Sequence, residues 1–184
     1  MNTLYVILAA IGFLLLALAF IYNSLIRKRN QVGEAWSDIE VQMKRRYDLI
    51  PNVVEAVKGY VLHERGVLEN VTRARTQAMG AHTPQEHAQA ENMLTDTLKT
   101  LFAVAENYPD LKANANFLDL QRELADTENK IQSARRFYNG NVRDYNTAVQ
   151  SFPTNLVARA FGFTGKEFFD LEEEAARQPV GVRF

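Results

Sequence analysis

The chain has 184 residues, with 21 lysine and arginine against 22 aspartate and glutamate side chains. It has no cysteine, which excludes disulfides, thiolate metal sites, cysteine nucleophiles and lipid attachment at a lipobox cysteine. Without the basic cluster Arg27, Lys28 and Arg29, the rest of the chain has 18 basic and 22 acidic side chains. This net negative charge argues against a nucleic-acid partner. The roughly 155 residues after the apolar N-terminus suffice for one domain with a hydrophobic core.

The segment from Leu4 to Tyr22 is apolar, with no charged residue and no proline. As an α-helix rising about 1.5 Å per residue it is roughly 28 Å long, close to the hydrocarbon thickness of a bilayer. Tyr5 and Tyr22 lie near its ends, where aromatic rings favour the headgroup layer. We therefore predict a transmembrane anchor over residues 1–26.

Two other interpretations of this segment compete with the anchor. Ala17-Leu18-Ala19 resembles the cleavage site of a signal peptide, but the basic n-region of such peptides is missing. A buried hydrophobic hairpin would need a turn signal, and none is present. Basic residues follow the segment and none precedes it, so the positive-inside rule predicts a single-pass protein with its N-terminus outside and its body in the cytoplasm.

The first body helix continues from the anchor, because Val32, Trp36, Ile39 and Met43 recur at helical spacing. Pro51 then marks either a tight reversal or a kink, since a proline disfavours helical geometry at the residue before it. Length favours the reversal, which yields four segments that fold up and down.

The next two helices have clear boundary signals. The second is predicted over about Asn52–Met79, stopping at Gly80, and the third runs from a capping box at Thr83-Pro84-Gln85-Glu86 to about Asn107. Their predicted buried side chains are Val53, Val57, Tyr60, Val61, Leu68 and Val71 in the second helix and Met93, Leu94, Leu98, Leu101, Phe102 and Val104 in the third.

The fourth helix is predicted to start at a cap on Asn114 or Asn116 and to reach about Ser151, where Pro153 closes it. Its apolar residues recur every seven positions, the spacing of a helix-packing seam: Phe117, Leu124, Ile131, Tyr138, Tyr145 and Phe152. We therefore predict an all-α protein, in which the transmembrane helix continues into an antiparallel four-helix up-and-down bundle over residues 27–152.

Residues 153–184 form an aromatic-rich tail. Thr164-Gly165-Lys166-Glu167 resembles a capping box that would open a short helix to about Arg177, and Pro179 to Phe184 is predicted to be extended. Its aromatic rings either pack back on the bundle or contact the bilayer surface or a neighbouring subunit. The candidates for such an oligomer or membrane contact are Phe161, Phe163, Phe168, Phe169 and Phe184.

The sequence shows no catalytic or metal-binding motif. His63-Glu64 lacks the second histidine of a zinc protease motif, and none of His63, His82 and His87 has the glutamate three positions earlier that a di-iron bundle requires. No nucleophile elbow, P-loop or dinucleotide-binding glycine pattern occurs. We therefore predict a non-enzymatic protein with no cofactor and no metal.

Polar residues do lie beside the helix seam. They form either an interhelical network that fixes the packing register or a polar groove for a peptide or partner helix. The candidate residues are Arg45, Arg46, Asp48, Asn52, Gln121, Glu128, Arg135 and Asn139.

Two sequence signatures, RRYDLIPN at Arg45–Asn52 and YPDLKAN at Tyr108–Asn114, resemble the LemA family, and the similarity runs over Tyr22–Glu64 and Ala105–Ala158. The resemblance implies a protein of the bacterial plasma (inner) membrane with one N-terminal membrane helix, a four-helix bundle and no established enzyme activity. The family includes relatives on magnetosome membranes, so the resemblance also implies a role in membrane shaping or organisation.

We expect a membrane-anchored scaffold that forms a homo-oligomer or recruits an unidentified membrane protein. Its partners would then be the lipid bilayer and other polypeptides, with no nucleic acid. The alternative is a signalling module that senses a peptide or ligand in the polar groove.

Overall fold

The computed structural model describes residues 2–60 and 64–169, and within these ranges it contains helices, turns and no strand. The helices are α1 (Asn2–Lys58), α2 (Arg65–Met79), α3 (Pro84–Ala105), α4 (Pro109–Lys112), α5 (Ala115–Gln150) and α6 (Thr154–Ala160). The all-α class and the long apolar N-terminal helix are thereby confirmed. The up-and-down order of a four-helix bundle stays a prediction.

The chain divides into two compact units. The first, which we call the anchor unit, contains Met1–Met43 and Asn129–Glu167. The second, the cluster unit, contains Lys44–Glu128 and, within the described tail, Phe168 and Phe169. Both long helices, α1 and α5, contribute residues to both units.

The reversal predicted at Pro51 is wrong, because α1 continues through this proline to Lys58. A proline inside a helix lacks the N–H that would bond to the carbonyl four residues earlier, here that of Tyr47. The Nε of Arg75 on α2 donates to this carbonyl oxygen at 2.7 Å. A side chain from the neighbouring helix thus supplies the hydrogen bond that the proline removes.

The helix predicted to start at Asn52 therefore starts at Arg65, and residues 52–58 belong to α1. Val53, Val57 and Val71 are buried as predicted, whereas Tyr60 is exposed and Val61 lies outside the described residues. On α3 the predicted capping box is present, with Thr83 and Glu86 bonding to each other's backbone N–H groups. Met93, predicted to be inside, is 51% exposed.

Asn114 caps α5, since its Oδ1 accepts a hydrogen bond from the N–H of Phe117 at 3.1 Å. The predicted seam is buried from Phe117 to Tyr145. Its last member, Phe152, is 80% exposed because α5 ends before it, at Gln150.

The capping box predicted at Thr164 is wrong for the described residues, because residues 163–168 are not helical. The side chain of Asn146 on α5 instead accepts from the N–H of Lys166 at 2.7 Å and donates to its carbonyl oxygen at 2.8 Å. Gly165 permits this approach, since a Cβ there would lie 3.2 Å from Asn146 Oδ1. The predicted helix beyond residue 169 and the extended terminus lie outside the described residues.

Within the anchor unit, α1 and α5 are antiparallel. The rings of Trp36 and Tyr138 lie 5.3 Å apart. Burial raises the pKa of Tyr145, and the charge of Arg29 is close enough to oppose this rise. Seven residues toward the N-terminus of α1 therefore correspond to seven residues toward the C-terminus of α5. A further seven residues lead to Tyr22 on α1 and to Phe152 just beyond α5, so these two residues lie at the same level.

Candidate functional site: a buried ion cluster beside a small cavity

The cluster unit buries an arginine between two carboxylates. Arg46 on α1 is 3% exposed, and its Nη1 lies 2.9 Å from Oε2 of Glu91 on α3 and 2.7 Å from Oε2 of Glu128 on α5. Its Nη2 donates to Oγ1 of Thr95 at 2.8 Å. Tyr47 donates its phenolic hydrogen to Glu91 Oε1. We call these five residues the ion cluster.

The position of the ion cluster follows from helical spacing. Arg46 and Tyr47 lie on α1 between the buried Met43 and Ile50, and Glu91 takes a place on the buried face of α3 between Ala88 and Leu94. A charged residue at such a place must find a partner, because burying an isolated charge is far costlier than burying a paired one. Three helices contribute, so the cluster ties α1, α3 and α5 together within this unit.

Burial governs protonation in the ion cluster. Desolvation raises the pKa of Glu91 above its ordinary value, while the charge of Arg46 opposes this effect and the charge of Glu128 adds to it. Burial, and next the Glu91 carboxylate, raise the pKa of Tyr47 well above that of a free phenol. Tyr47 therefore remains a hydrogen-bond donor at neutral pH.

A cavity of about 220 Å³ adjoins the ion cluster. It is smaller than the roughly 300–1,000 Å³ of pockets that hold drug-sized ligands, so it suits a small molecule or one side chain of a peptide. Its lining combines apolar residues with the edge of the cluster: Arg46, Thr95, Leu98, Lys99, Phe102, Gln121, Leu124, Ala125 and Glu128.

The predicted polar residues divide between several places. Arg46 and Glu128 meet in the ion cluster, and Gln121 lines the cavity. Arg45 is partly exposed and faces Asp126 at 3.7 Å and Glu123 at 4.0 Å. Asp48 and Asn52 are exposed on α1, and Arg135 and Asn139 lie on the α5 portion of the anchor unit.

Sequence reasoning missed Tyr47, Glu91 and Thr95. The signal for Glu91 was its spacing of three and seven residues from Leu94 and Leu98, which places it on the apolar face of α3. In the ranges 2–60 and 64–169, no group of three or more histidine, aspartate and glutamate side chains is arranged to hold a metal ion. His63 lies outside these ranges.

The aromatic tail residues occupy two kinds of environment. Phe163 is buried against Tyr22, with ring centroids 5.7 Å apart, and the guanidinium of Arg29 lies 5.6 Å from its centroid. Phe161 also contacts Tyr22, at 4.9 Å, yet remains 62% exposed. Phe169 is buried and Phe168 is exposed, while Phe184 lies outside the described residues.

The sequence model of the LemA family matches residues 35–184. The chain belongs to the LemA family. Protein LemA of Metamycoplasma hominis is 26% identical to it over 152 residues, which cover 82% of this chain and 69% of that relative. Magnetosome protein MamQ of Magnetospirillum gryphiswaldense is 22% identical over 185 residues, with 86% of this chain and 68% of the relative covered.

Magnetosome protein MamQ 2 of Paramagnetospirillum magneticum is 23% identical with the same coverage.

Among the described residues, one helix, α1, is long and apolar enough to cross a membrane, and its most apolar stretch is not buried. With these relatives, that exposed apolar segment indicates a membrane-associated protein.

Proposed function

We propose that this protein is a non-enzymatic scaffold, anchored in the bacterial inner membrane by α1, that holds copies of itself or partner proteins at the membrane. The observation that carries the proposal is the continuity of α1 from Asn2 to Lys58. Within the anchor unit, this helix carries both the apolar segment and the side chains that pack against α5, so no linker separates the anchor from the helices packed beside it. Scaffolding needs such a direct connection to the membrane more than it needs reactive groups.

Exposure of the apolar segment supports the anchor. Phe13 is 76% and Leu16 is 73% exposed, although the core helix of a water-soluble protein would bury such side chains. A continuous apolar patch of this length demands a nonaqueous environment. The bilayer is the environment whose thickness matches the segment.

The basic residues after the segment support an N-terminus outside and a cytoplasmic body. The absence of cysteine allows a direct test of this topology. In intact cells, a membrane-impermeant maleimide should label an Asn2→Cys variant, and should label a Gln89→Cys variant on α3 only after permeabilisation. Labelling of Gln89→Cys in intact cells would reverse the topology.

Anchoring in a plane raises the effective concentration of subunits, so modest contacts suffice for assembly. The full chain, extracted from membranes in mild detergent, should sediment as a multiple of its 20.9 kDa mass or with stoichiometric partner polypeptides. Truncation before Pro153 tests whether the tail makes the contact. A full-length monomer without partner polypeptides, at several detergent concentrations, would contradict the scaffold.

The cavity beside the ion cluster favours one second candidate, a sensor of a small ligand or a peptide side chain. Its lining, mostly apolar with a few polar side chains, is the usual composition of a binding pocket. An Ala125→Phe variant would place a large side chain at a residue that lines the cavity. Native mass spectrometry of the protein purified from its own membranes should then show a bound compound that this variant lacks. Identical spectra for both proteins would argue against the sensor.

A further inference from the structure

Three large apolar side chains around α6 are exposed. Phe152 precedes the helix and is 80% exposed, Leu156 lies within it and is 59% exposed, and Phe161 follows it and is 62% exposed. Val157 and Ala158, on the other side of the same short helix, are buried. The helix thus packs one face on its own chain and presents the other outward.

Two observations place this outward face at the end of the membrane-crossing segment. The ring of Phe161 contacts that of Tyr22, the last residue of the apolar segment, at 4.9 Å. The antiparallel register of α1 and α5, set by Trp36 against Tyr138, brings Phe152 to the same level. The side chains therefore lie where the hydrocarbon core gives way to headgroups, if α1 crosses the bilayer.

The tail is held firmly at this level. Phe163 is buried between Tyr22 and Arg29, and the backbone of Lys166 is bonded twice to Asn146. These contacts hold the chain after Phe161, and the buried Val157 and Ala158 hold it before Phe161. The exposed ring of Phe161 therefore belongs to a segment that is packed on the rest of the chain.

The surrounding charges match a lipid surface. Arg27, Lys28 and Arg29 follow Tyr22 along α1, and Arg159 is exposed on α6. Aromatic rings favour the interfacial layer, and basic residues close to it are attracted to anionic headgroups. Apolar residues with a basic margin are the pattern of segments that lie in the membrane surface.

We propose that Phe152, Leu156 and Phe161 insert into the interfacial layer of an anionic bilayer, so that α6 forms a second membrane contact beside the transmembrane helix. This proposal rests on the anchor of the proposed function. The two contacts together would fix the rotation of α1 about its axis as well as its depth.

The test uses single nitroxide spin labels on the full chain in vesicles of phosphatidylcholine and phosphatidylglycerol. Because the chain has no cysteine, Phe152→Cys and Leu156→Cys variants each carry one label. Phe137→Cys is the matched control: Phe137 is 61% exposed, and it neighbours Tyr138, which packs on Trp36, about 21 Å along α1 from Tyr22. Phe13→Cys reports on the anchor itself.

Labels in lipid collide more with oxygen than with a polar nickel chelate, whereas labels in water show the reverse. We expect the lipid pattern at 152, 156 and 13 and the aqueous pattern at 137. The aqueous pattern at 152 and 156 with the lipid pattern at 13 would overturn the second contact and leave the anchor intact. An aqueous pattern at 13 as well would overturn the anchor. Protection from both reagents at 152 and 156 would assign the surface to a second copy and also overturn the proposal.

Discussion

The anchor unit and the cluster unit both have aromatic contacts between helices, in the cluster unit those of Phe102 and Phe117 at 6.1 Å, but the cluster unit adds a buried ion cluster. In the anchor unit, aromatic rings meet, as Trp36 does Tyr138 and Tyr22 does Phe163. In the cluster unit, the buried Arg46 is held between carboxylates. Removing part of a ring contact lowers the free energy of unfolding roughly in proportion to the buried apolar area that is lost. Removing one partner of a buried ion cluster costs much more, because the remaining charge is left buried without a countercharge or water.

The largest expected effect sharpens this contrast with two adjacent arginines. Arg46→Ala leaves Glu91 as a buried carboxyl that must either take up a proton or stay uncompensated, so we expect a loss of about 3–5 kcal/mol of unfolding free energy. Arg45→Ala removes an exposed pair and should cost about 0–1 kcal/mol. Unfolding in detergent followed by circular dichroism measures both. Equal losses for the two variants would show that burial does not set the strength of the cluster.

The next prediction compares two buried tyrosines, one in each unit. Tyr47 donates to a carboxylate, and Tyr138 donates to the backbone carbonyl of Glu167 at 2.8 Å. Burial, and next the charge of Glu167, raise the pKa of Tyr138 to about 12, so it too stays protonated. Because bonds to charged groups are stronger, Tyr47→Phe should cost about 1.5–3 kcal/mol and Tyr138→Phe about 0.5–1.5 kcal/mol. The same unfolding measurement checks the order, and a reversed order would refute it.

A third prediction concerns the proline in the cluster unit, for which the anchor unit's part of α1 has no equivalent. Arg75→Ala should cost about 1.5–3 kcal/mol, because the carbonyl of Tyr47 loses its charged donor. In a Pro51→Ala background, the new N–H of residue 51 can bond to that carbonyl, so the same substitution should cost much less. A double-mutant cycle measures this coupling. Strict additivity would mean that Arg75 does not replace the missing hydrogen bond.

The smallest expected effect is a pH dependence of the unfolding free energy, which arises from Glu91 in the cluster unit. Since burial raises the pKa of Glu91 in the folded state, the folded protein binds the proton more tightly than the unfolded chain does. Its contribution to stability is fully present below about pH 4.5, the ordinary value, and is lost as pH rises through the raised pKa. Arg46, Tyr47 and Glu128 are the ionisable groups that face it.

A Glu91→Gln variant, which carries the protonated shape permanently, is the reference for this effect. The unfolding free energy of the wild-type protein minus that of the variant should fall as pH rises from acid to neutral. A difference that rises over this range would mean that Arg46 outweighs burial and lowers the pKa of Glu91 instead.

Local sequence rules determined much of this protein. The length and polarity of residues 4–22 predict the long apolar helix, Thr83 with Glu86 predicts the start of α3, and the seven-residue spacing predicts the buried face of α5 from Phe117 to Tyr145. Each of these signals acts within one helix. Its physical cause, a capping hydrogen bond or a shared helix face, is contained in a short stretch of residues.

The tertiary structure decided what those rules could not. Pro51 stays inside a helix because the carbonyl of Tyr47, which the proline leaves open, accepts a hydrogen bond from Arg75, 28 residues after Tyr47. Glu91 can be buried because Arg46, 45 residues away, supplies its countercharge. Residues 163–168 are not helical, and the side chain of Asn146, which follows Tyr145 on α5, takes both backbone hydrogen bonds of Lys166, 20 residues away. In each case a polar group is satisfied by a distant partner, and only the folded chain determines which partner that is.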